Sequence, residues 1–326
     1  MKSEVRNIIA RHWRKNVHKV VKFGPVWKVK SKEGYFCFKR WKRRVPQLMF
    51  TYYAIEELWH RGYSGTPRII PDVQGKPYAE DNGEIYILTK WVGRPLKEKS
   101  KREWVAAAKA LAGFHHVSEN ITLPPGLGGS CFYGRWLYRF PKCLEEMRTL
   151  FYGFKNPRNI FEEEAVRNAP VILEVAESAY EMLLRSRYKY LSENLHRFPR
   201  LCHGNIKAKN FTVREEGGVC LVDSDSFRID LPVQDLASFF FSALSSKEWS
   251  LSFARILFNA YDAVRPIEED EIPILRALLI FPYDIAKYLE KYQEGGKTPE
   301  EFLRKWDKEL VCFARQQYFF EQFFGI

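Results

Sequence analysis

With 326 residues, 46% of them apolar and 16% aromatic, the chain is long enough for a two-lobed domain with a large core and too rich in aromatics for a disordered segment. The first sixteen residues lack the continuous apolar core of a secretory signal, and the longest apolar run, Leu236 to Leu244, is too short and serine-broken to cross a membrane. The net charge is +12, yet residues 1–44 hold 15 Lys and Arg against only Glu4 and Glu33, so the basic excess belongs to that segment. It suits either a solvated face or a patch for polyanions.

Residues 17–39 read as short strands. Val26 to Lys30 alternates, Lys32-Glu33-Gly34 turns, and Tyr35 to Lys39 alternates again, which predicts a hairpin ending in Lys39. A helix is predicted over about Gln47 to Arg61, stopped by Gly62. Pro67 to Val73 and Ile85 to Leu88 read as two further strands around the turn-rich stretch Gly75 to Gly83, and residues 89–95 read as a linker. Ser100 to Glu103 has the form of a capping box, opening a helix with Trp104, Ala108, Leu111 and His115 on one face. His116 cannot share that face, so the His pair reads as packing and not as a metal site. Residues 118–135, with Pro124, Pro125, Gly126, Gly128 and Gly129, read as a loop. Long helices follow at about 136–152 and 162–195, then a β-rich island at 200–223, then mostly helix from 233 to 324. The aromatic tail, Tyr318 to Phe324, reads as a docked terminal helix.

The expected fold is therefore α+β, with a small antiparallel sheet lobe over 1–91 and a larger, mainly helical lobe over 92–326. The six cysteines form no CxxC pair and several lie in apolar strand-like runs. They read as buried reduced thiols, without a zinc site, and suggest a cytosolic origin.

The island carries the chemistry. A polar loop, His203 to Asn210, sits between apolar runs and is answered by Asp223-Ser224-Asp225 at the end of the second run. Asn210 offers an amide oxygen, and Asp223 and Asp225 offer carboxylates. Oxygen ligands of this kind suit Mg²⁺, which keeps several waters and bridges nucleotide phosphates.

His203-Gly204-Asn205 through Asn210 resembles the catalytic loop of the aminoglycoside-phosphotransferase and choline-kinase superfamily, a group with a bilobal protein-kinase-like fold. Val222-Asp223-Ser224-Asp225 and Asp235-Leu236-Ala237 resemble its two later motifs in order and spacing. Further segments narrow the resemblance to the CotS-type spore coat proteins: Leu48-Met49-Phe50, Tyr86 to Gly93, Tyr133 to Pro141, Tyr261 to Pro266 and Leu278 to Pro282. The resemblance implies ATP and Mg²⁺ as ligands. Lys39 would meet the nucleotide phosphates, with Glu56 or Glu57 as its helix partner and Gly24 in the phosphate-covering loop. Segment 88–92, including Leu88 and Trp91, would meet adenine. Asn210, Asp223 and Asp225 would hold metal, His203 would orient the loop, and Asp235 would brace it, though Asp235 is equally a plain helix N-cap. The resemblance also implies synthesis in the mother cell, deposition on the spore coat and other coat proteins as partners.

Position 205 departs from the family, with Asn where an aspartate accepts the proton of the attacking hydroxyl. An amide cannot hold that proton near neutral pH. The phosphate-covering loop, Lys22 to Val26, also has a single glycine. These departures favour a degenerate or weakly active coat component, set against an active phosphotransferase and against a polyanion binder using residues 1–44. No nucleic-acid motif accompanies that basic segment.

Overall fold

The computed structural model describes residues 2–127, 131–244, 249–296 and 298–325; Gly128 and Gly129 of the expected loop lie outside them. Packing divides the chain into two units. The first comprises Met1–Cys131, Arg197–Pro232 and Ala260–Arg265, and the second Phe132–His196, Val233–Asn259 and Pro266–Ile326. The β-rich island thus groups with the N-terminal sheet, where the change of period near 91 suggested one boundary.

In the first unit, helix α1 (Lys2–Trp13) places Val5, Ile8, Ile9 and Trp13 on one side, the spacing of a single helical face. That side packs on Val20, Val29, Phe36, Phe38 and Leu88 of the sheet. Strands β1 (Val17–Phe23), β2 (Val26–Ser31) and β3 (Gly34–Trp41) are followed by helix α2 (Val45–His60), then β4 (Ala79–Asp81) and β5 (Glu84–Lys90). They form an antiparallel sheet in the order β1-β2-β3-β5-β4. The register aligns Val20, Val29 and Phe36 on the face under α1, and Val21, Lys28, Cys37 and Thr89 on the other. The hairpin and α2 therefore fall where the sequence places them.

Two local expectations fail. Pro67 to Val73 forms no strand; Ile69 makes a single bridge to Thr89, and the edge position goes to β4, inside the stretch read as turns. The capping box at Ser100 is half formed. Ser100 accepts from the Glu103 N–H at 3.3 Å, but the Glu103 carboxylate turns to Arg94 and the Lys97 N–H.

Strand β6 (Arg94–Pro95) precedes helix α3 (Lys101–Val117), whose buried face includes Trp104, Ala108, Leu111 and His115. The island supplies β7 (Leu201–Cys202), β8 (Phe211–Val213), β9 (Val219–Leu221) and β10 (Arg228–Ile229). β6, β8 and β9 make a three-stranded sheet, and β7 pairs with β10.

The second unit is helical: α4 (Arg135–Gly153), α5 (Ile160–Arg185), α6 (Tyr188–Glu193), α7 (Val233–Leu244), α8 (Leu251–Asp262), α9 (Glu271–Ile280), α10 (Tyr283–Glu294) and α11 (Pro299–Phe324). The helix expected over 162–195 breaks at Ser186, whose backbone is extended. Phe161 sits among Tyr288, Tyr292, Phe302 and Trp306. The aromatic tail docks as expected. Phe319 and Phe320 are buried and reach Trp249, while Tyr318 faces solvent. All six cysteines are free, but Cys131 and Cys312 are exposed, against the expectation of uniform burial. No helix among the described residues is long and apolar enough to cross a membrane.

Candidate functional site

Strand β3 alternates Phe36 and Phe38 into the core and turns Cys37 and Lys39 to the opposite face. There the Lys39 ammonium pairs with Asp223 and, at 2.7 Å, with Asp225. Burial works against the ammonium, but the two carboxylates outweigh it and raise the Lys39 pKa. The Asp225 carboxyl is also raised: its own burial exceeds the opposing pull of Lys39. Asp223 stands in left-handed backbone geometry at φ 69°, a conformation Asp tolerates better than most side chains and one that recurs at functional sites.

The loop before these acids is fixed from both ends. His203 is fully buried, and its Nε2–H donates to the Val222 carbonyl at 2.9 Å, tying the loop to the residue preceding Asp223. Gly204 takes φ 77°, and a Cβ there would collide with the Ser226 carbonyl and the Arg228 guanidinium. Asn210 donates through Nδ2 to the Asn205 carbonyl at 2.7 Å, and its own carbonyl accepts from the Val222 N–H at 2.9 Å. The amide nitrogen is thereby engaged, and Oδ1 is the atom left to serve a metal. Asn205 itself is partly buried.

Lys39, Asn210, Asp223 and Asp225 line one cavity, together with Phe23, Val26, Cys37, Ile87, Thr89, Trp91 and Lys209. The lining mixes apolar side chains with the charged residues Lys39, Lys90, Lys209, Asp223 and Asp225. The hard oxygen donors Asn210 Oδ1, Asp223 and Asp225 fit Mg²⁺ in kind. The sequence reading missed Cys37 and Lys209, and held Thr89 only within segment 88–92. Cys37 was legible from strand alternation, since it is two residues before Lys39 and pairs across the sheet with Thr89. Burial raises the Cys37 thiol to about 11, so it presents a neutral surface.

Other expected residues sit elsewhere. Glu56 does not reach Lys39. Its carboxylate binds Arg68, with one contact at 2.9 Å, and Glu57 binds Arg61 at 2.7 Å. Leu88 points into the core under α1, and its carbonyl accepts from the Ile70 N–H at 2.7 Å, so it does not face the cavity. Trp91 does line the cavity, but its backbone N–H is engaged by the Tyr35 carbonyl at 2.9 Å. Gly24 lies in the turn between β1 and β2, where its neighbours Phe23 and Pro25 form the wall. Asp235 lies in the second unit, buried in the first turn of α7.

Two consequences are measurable. Lys39→Met leaves two partly buried carboxylates without their cation, and about 1–3 kcal/mol of stability should be lost at pH 7, below the full cost of breaking a buried pair because water reaches the site. Asp225 already holds its proton more tightly than usual, so the loss shrinks as pH falls and that carboxyl neutralises. Urea unfolding at pH 7 and pH 4.5 checks both the size and the sign. Gly204→Ala combines positive φ with the collision described above, and thermal unfolding should show a loss of about 1–3 kcal/mol or more.

A small antiparallel sheet that carries a lysine to acids at a strand end, beside a His-Gly-x-x-x-x-x-Asn loop, defines a kinase-like phosphotransferase fold. Solved structures agree. An aminoglycoside phosphotransferase from Alicyclobacillus acidocaldarius subsp. acidocaldarius DSM 446 superposes with TM-score 0.81 at 19% identity, covering 94% of this chain and 91% of that one. Spectinomycin phosphotransferase APH(9)-Ia, solved with ADP and spectinomycin, gives TM-score 0.66 at 16% identity, covering 97% and 99%. The model of the family described as "Spore coat putative kinase YutH" matches residues 6–324, and the chain belongs to that family. Spore coat protein S of Bacillus subtilis (strain 168) is 23% identical over 298 residues, 89% of this chain and 82% of that protein.

Proposed function

We propose that this chain is a kinase-like component of the spore coat whose first unit binds ATP with Mg²⁺ and transfers phosphate slowly or not at all. The observation that carries the reading is the meeting of Lys39, Asp223 and Asp225 in one cavity with Asn210. Lys39 ion-pairs with both acids. Asp223, Asp225 and Asn210 Oδ1 would hold Mg²⁺, which would supply charge neutralisation for the phosphates, and Lys39 would meet the phosphate oxygens. Cys37, Ile87 and Thr89 offer the apolar surface for the base. With the Leu88 carbonyl and the Trp91 N–H already engaged, base recognition passes to Lys90 and Val92. Asn205 can orient an acceptor hydroxyl by hydrogen bonding but cannot remove its proton. His203 acts as a positioning residue through its bond to the Val222 carbonyl. Synthesis in the mother cell, deposition on the coat and association with other coat proteins complete the reading, which the coat protein S relative supports.

A second reading, an active phosphotransferase on an unidentified hydroxyl acceptor, is favoured by the complete set Lys39, Asn210 and Asp223. Nucleotide binding comes first in both. Millimolar ATP with Mg²⁺ should raise the melting temperature by several degrees, by linkage of binding to folding. ATP with EDTA should raise it less, since Lys39 then stays bound to its acids. The absence of any shift with ATP and Mg²⁺ would remove both kinase-like readings.

A further inference from the structure

Two groups stand out within the basic N-terminal segment. Arg11, Lys15, Lys39 and Arg40 are paired with Asp81, Glu33, Asp223 with Asp225, and Glu84. Lys19, Lys22, Lys28 and Lys30 have no carboxylate in ion-pairing range among the described residues. These four lie on β1 and β2, at one margin of the sheet.

β1 is an edge strand of seven residues, and among the described residues it pairs only with β2. Its outward backbone groups follow from alternation. Tyr35 accepts from Trp91, so its backbone faces β5; the bonded pair between β2 and β3 is then Val29 with Phe36, and that between β1 and β2 is Val21 with Lys28. The N–H and C=O groups of Val20 and Lys22 therefore point away from the sheet. The carbonyl of His18, which also points outward, is already taken by Arg6 at 3.1 Å. On the face opposite α1, the same strand presents Lys19, then Val21 at 43% exposure, then Phe23 at 50%, the last also bordering the cavity. Beside it lie Lys30 and Lys28, both over the ring of Tyr35, which is itself 45% exposed.

We propose that the free edge of β1 takes an extended segment of another polypeptide, alternating acidic and apolar residues, as a sixth strand. A strand supplies backbone donors and acceptors that match Val20 and Lys22, and alternation sends its carboxylates together to one face, where they meet Lys19, Lys28 and Lys30, while its apolar side chains turn to the face of α1. A nucleic acid matches the charge but has no backbone to complete a sheet. A second copy of this chain, paired antiparallel about the middle of β1, gathers a second set of lysines at the same margin and brings no carboxylate on that strand to answer them. The lysines that keep this edge from pairing with itself thus select an acidic partner. The inference is independent of nucleotide binding.

Fluorescence anisotropy of a labelled ten-residue peptide of alternating glutamate and valine, titrated with the full chain, tests it. Binding should weaken as salt rises and fall at least tenfold in Lys19→Glu. Lys22→Pro, which deletes the outward N–H, should lose more affinity than Lys22→Ala. Hydrogen exchange on the unmodified protein provides a measure that needs no variant: the Val20 and Lys22 amides should slow when the peptide is added. Unchanged exchange at those amides overturns the proposal. So does equal affinity for a lysine–valine peptide, tighter binding of oligothymidylate at the same salt, or a dimer that the peptide does not dissociate.

Discussion

Asn205→Asp should raise the rate of ATP turnover by about 10²–10⁴, the range that a general base contributes. The substitution is nearly isosteric, and the backbone around it is held independently of the side chain. The Asn205 carbonyl receives Asn210 Nδ2, Arg228 donates to the Gly204 carbonyl at 3.0 Å, and His203 anchors to Val222. The new carboxylate therefore enters a loop that has no need to rearrange. Because the acceptor is unidentified, water is the practical one, and ADP release is the readout. Asn205→Ala distinguishes base chemistry from mere positioning: its rate should not exceed that of the unmodified chain. If Asn205→Asp binds ATP with Mg²⁺ yet turns over no faster than Asn205→Ala, the defect extends beyond the missing base, and the turn at Gly24, proposed to cover the phosphates, becomes the next suspect.

The largest stability effect is expected at Trp306→Ala. Trp306 is fully buried in α11, 5.7 Å from the ring of Phe161 and stacked on Tyr288 at 6.1 Å. Its indole N–H has no acceptor among the described residues, so truncation strands no partner, and the cost is that of lost contacts and a cavity. Removing a buried aromatic of this size costs about 3–5 kcal/mol. Trp306→Phe should cost clearly less, because it keeps part of the volume and removes an unsatisfied donor. Urea unfolding gives both numbers. A loss under about 1 kcal/mol for the alanine variant would mean that α11 does not pack on α5 and α10 as described.

What could be read from the chain follows from the range of the forces involved. The β2–β3 hairpin was legible because alternation is local and the turn Lys32-Glu33-Gly34 is explicit. Lys39, Asn210, Asp223 and Asp225 stood out by spacing, and they line one cavity. Helix α1 escaped notice although Val5, Ile8, Ile9 and Trp13 follow a helical period, because the density of Lys and Arg drew the reading toward charge. The partner of Lys39 was misassigned to Glu56 for a different reason. Ion pairs between remote segments depend on which acid the fold brings near, and Arg68, only twelve residues from Glu56, was the nearer cation. Pro67 to Val73 had the composition of a strand, but only Ile69 finds a neighbouring backbone, and β4 holds the edge of the sheet.

The first unit is stitched from three stretches of chain, Met1–Cys131, Arg197–Pro232 and Ala260–Arg265. Its sheet leaves the ribosome early, while the loop and acids that face Lys39 emerge roughly a hundred residues later, on the order of 5–20 s at ordinary elongation rates. During that interval the ammonium of Lys39 has no counter-charge from Asp223 or Asp225. Nascent chains arrested before residue 201 should therefore hold a folded hairpin but retain no nucleotide, and chains released after residue 232 should begin to do so.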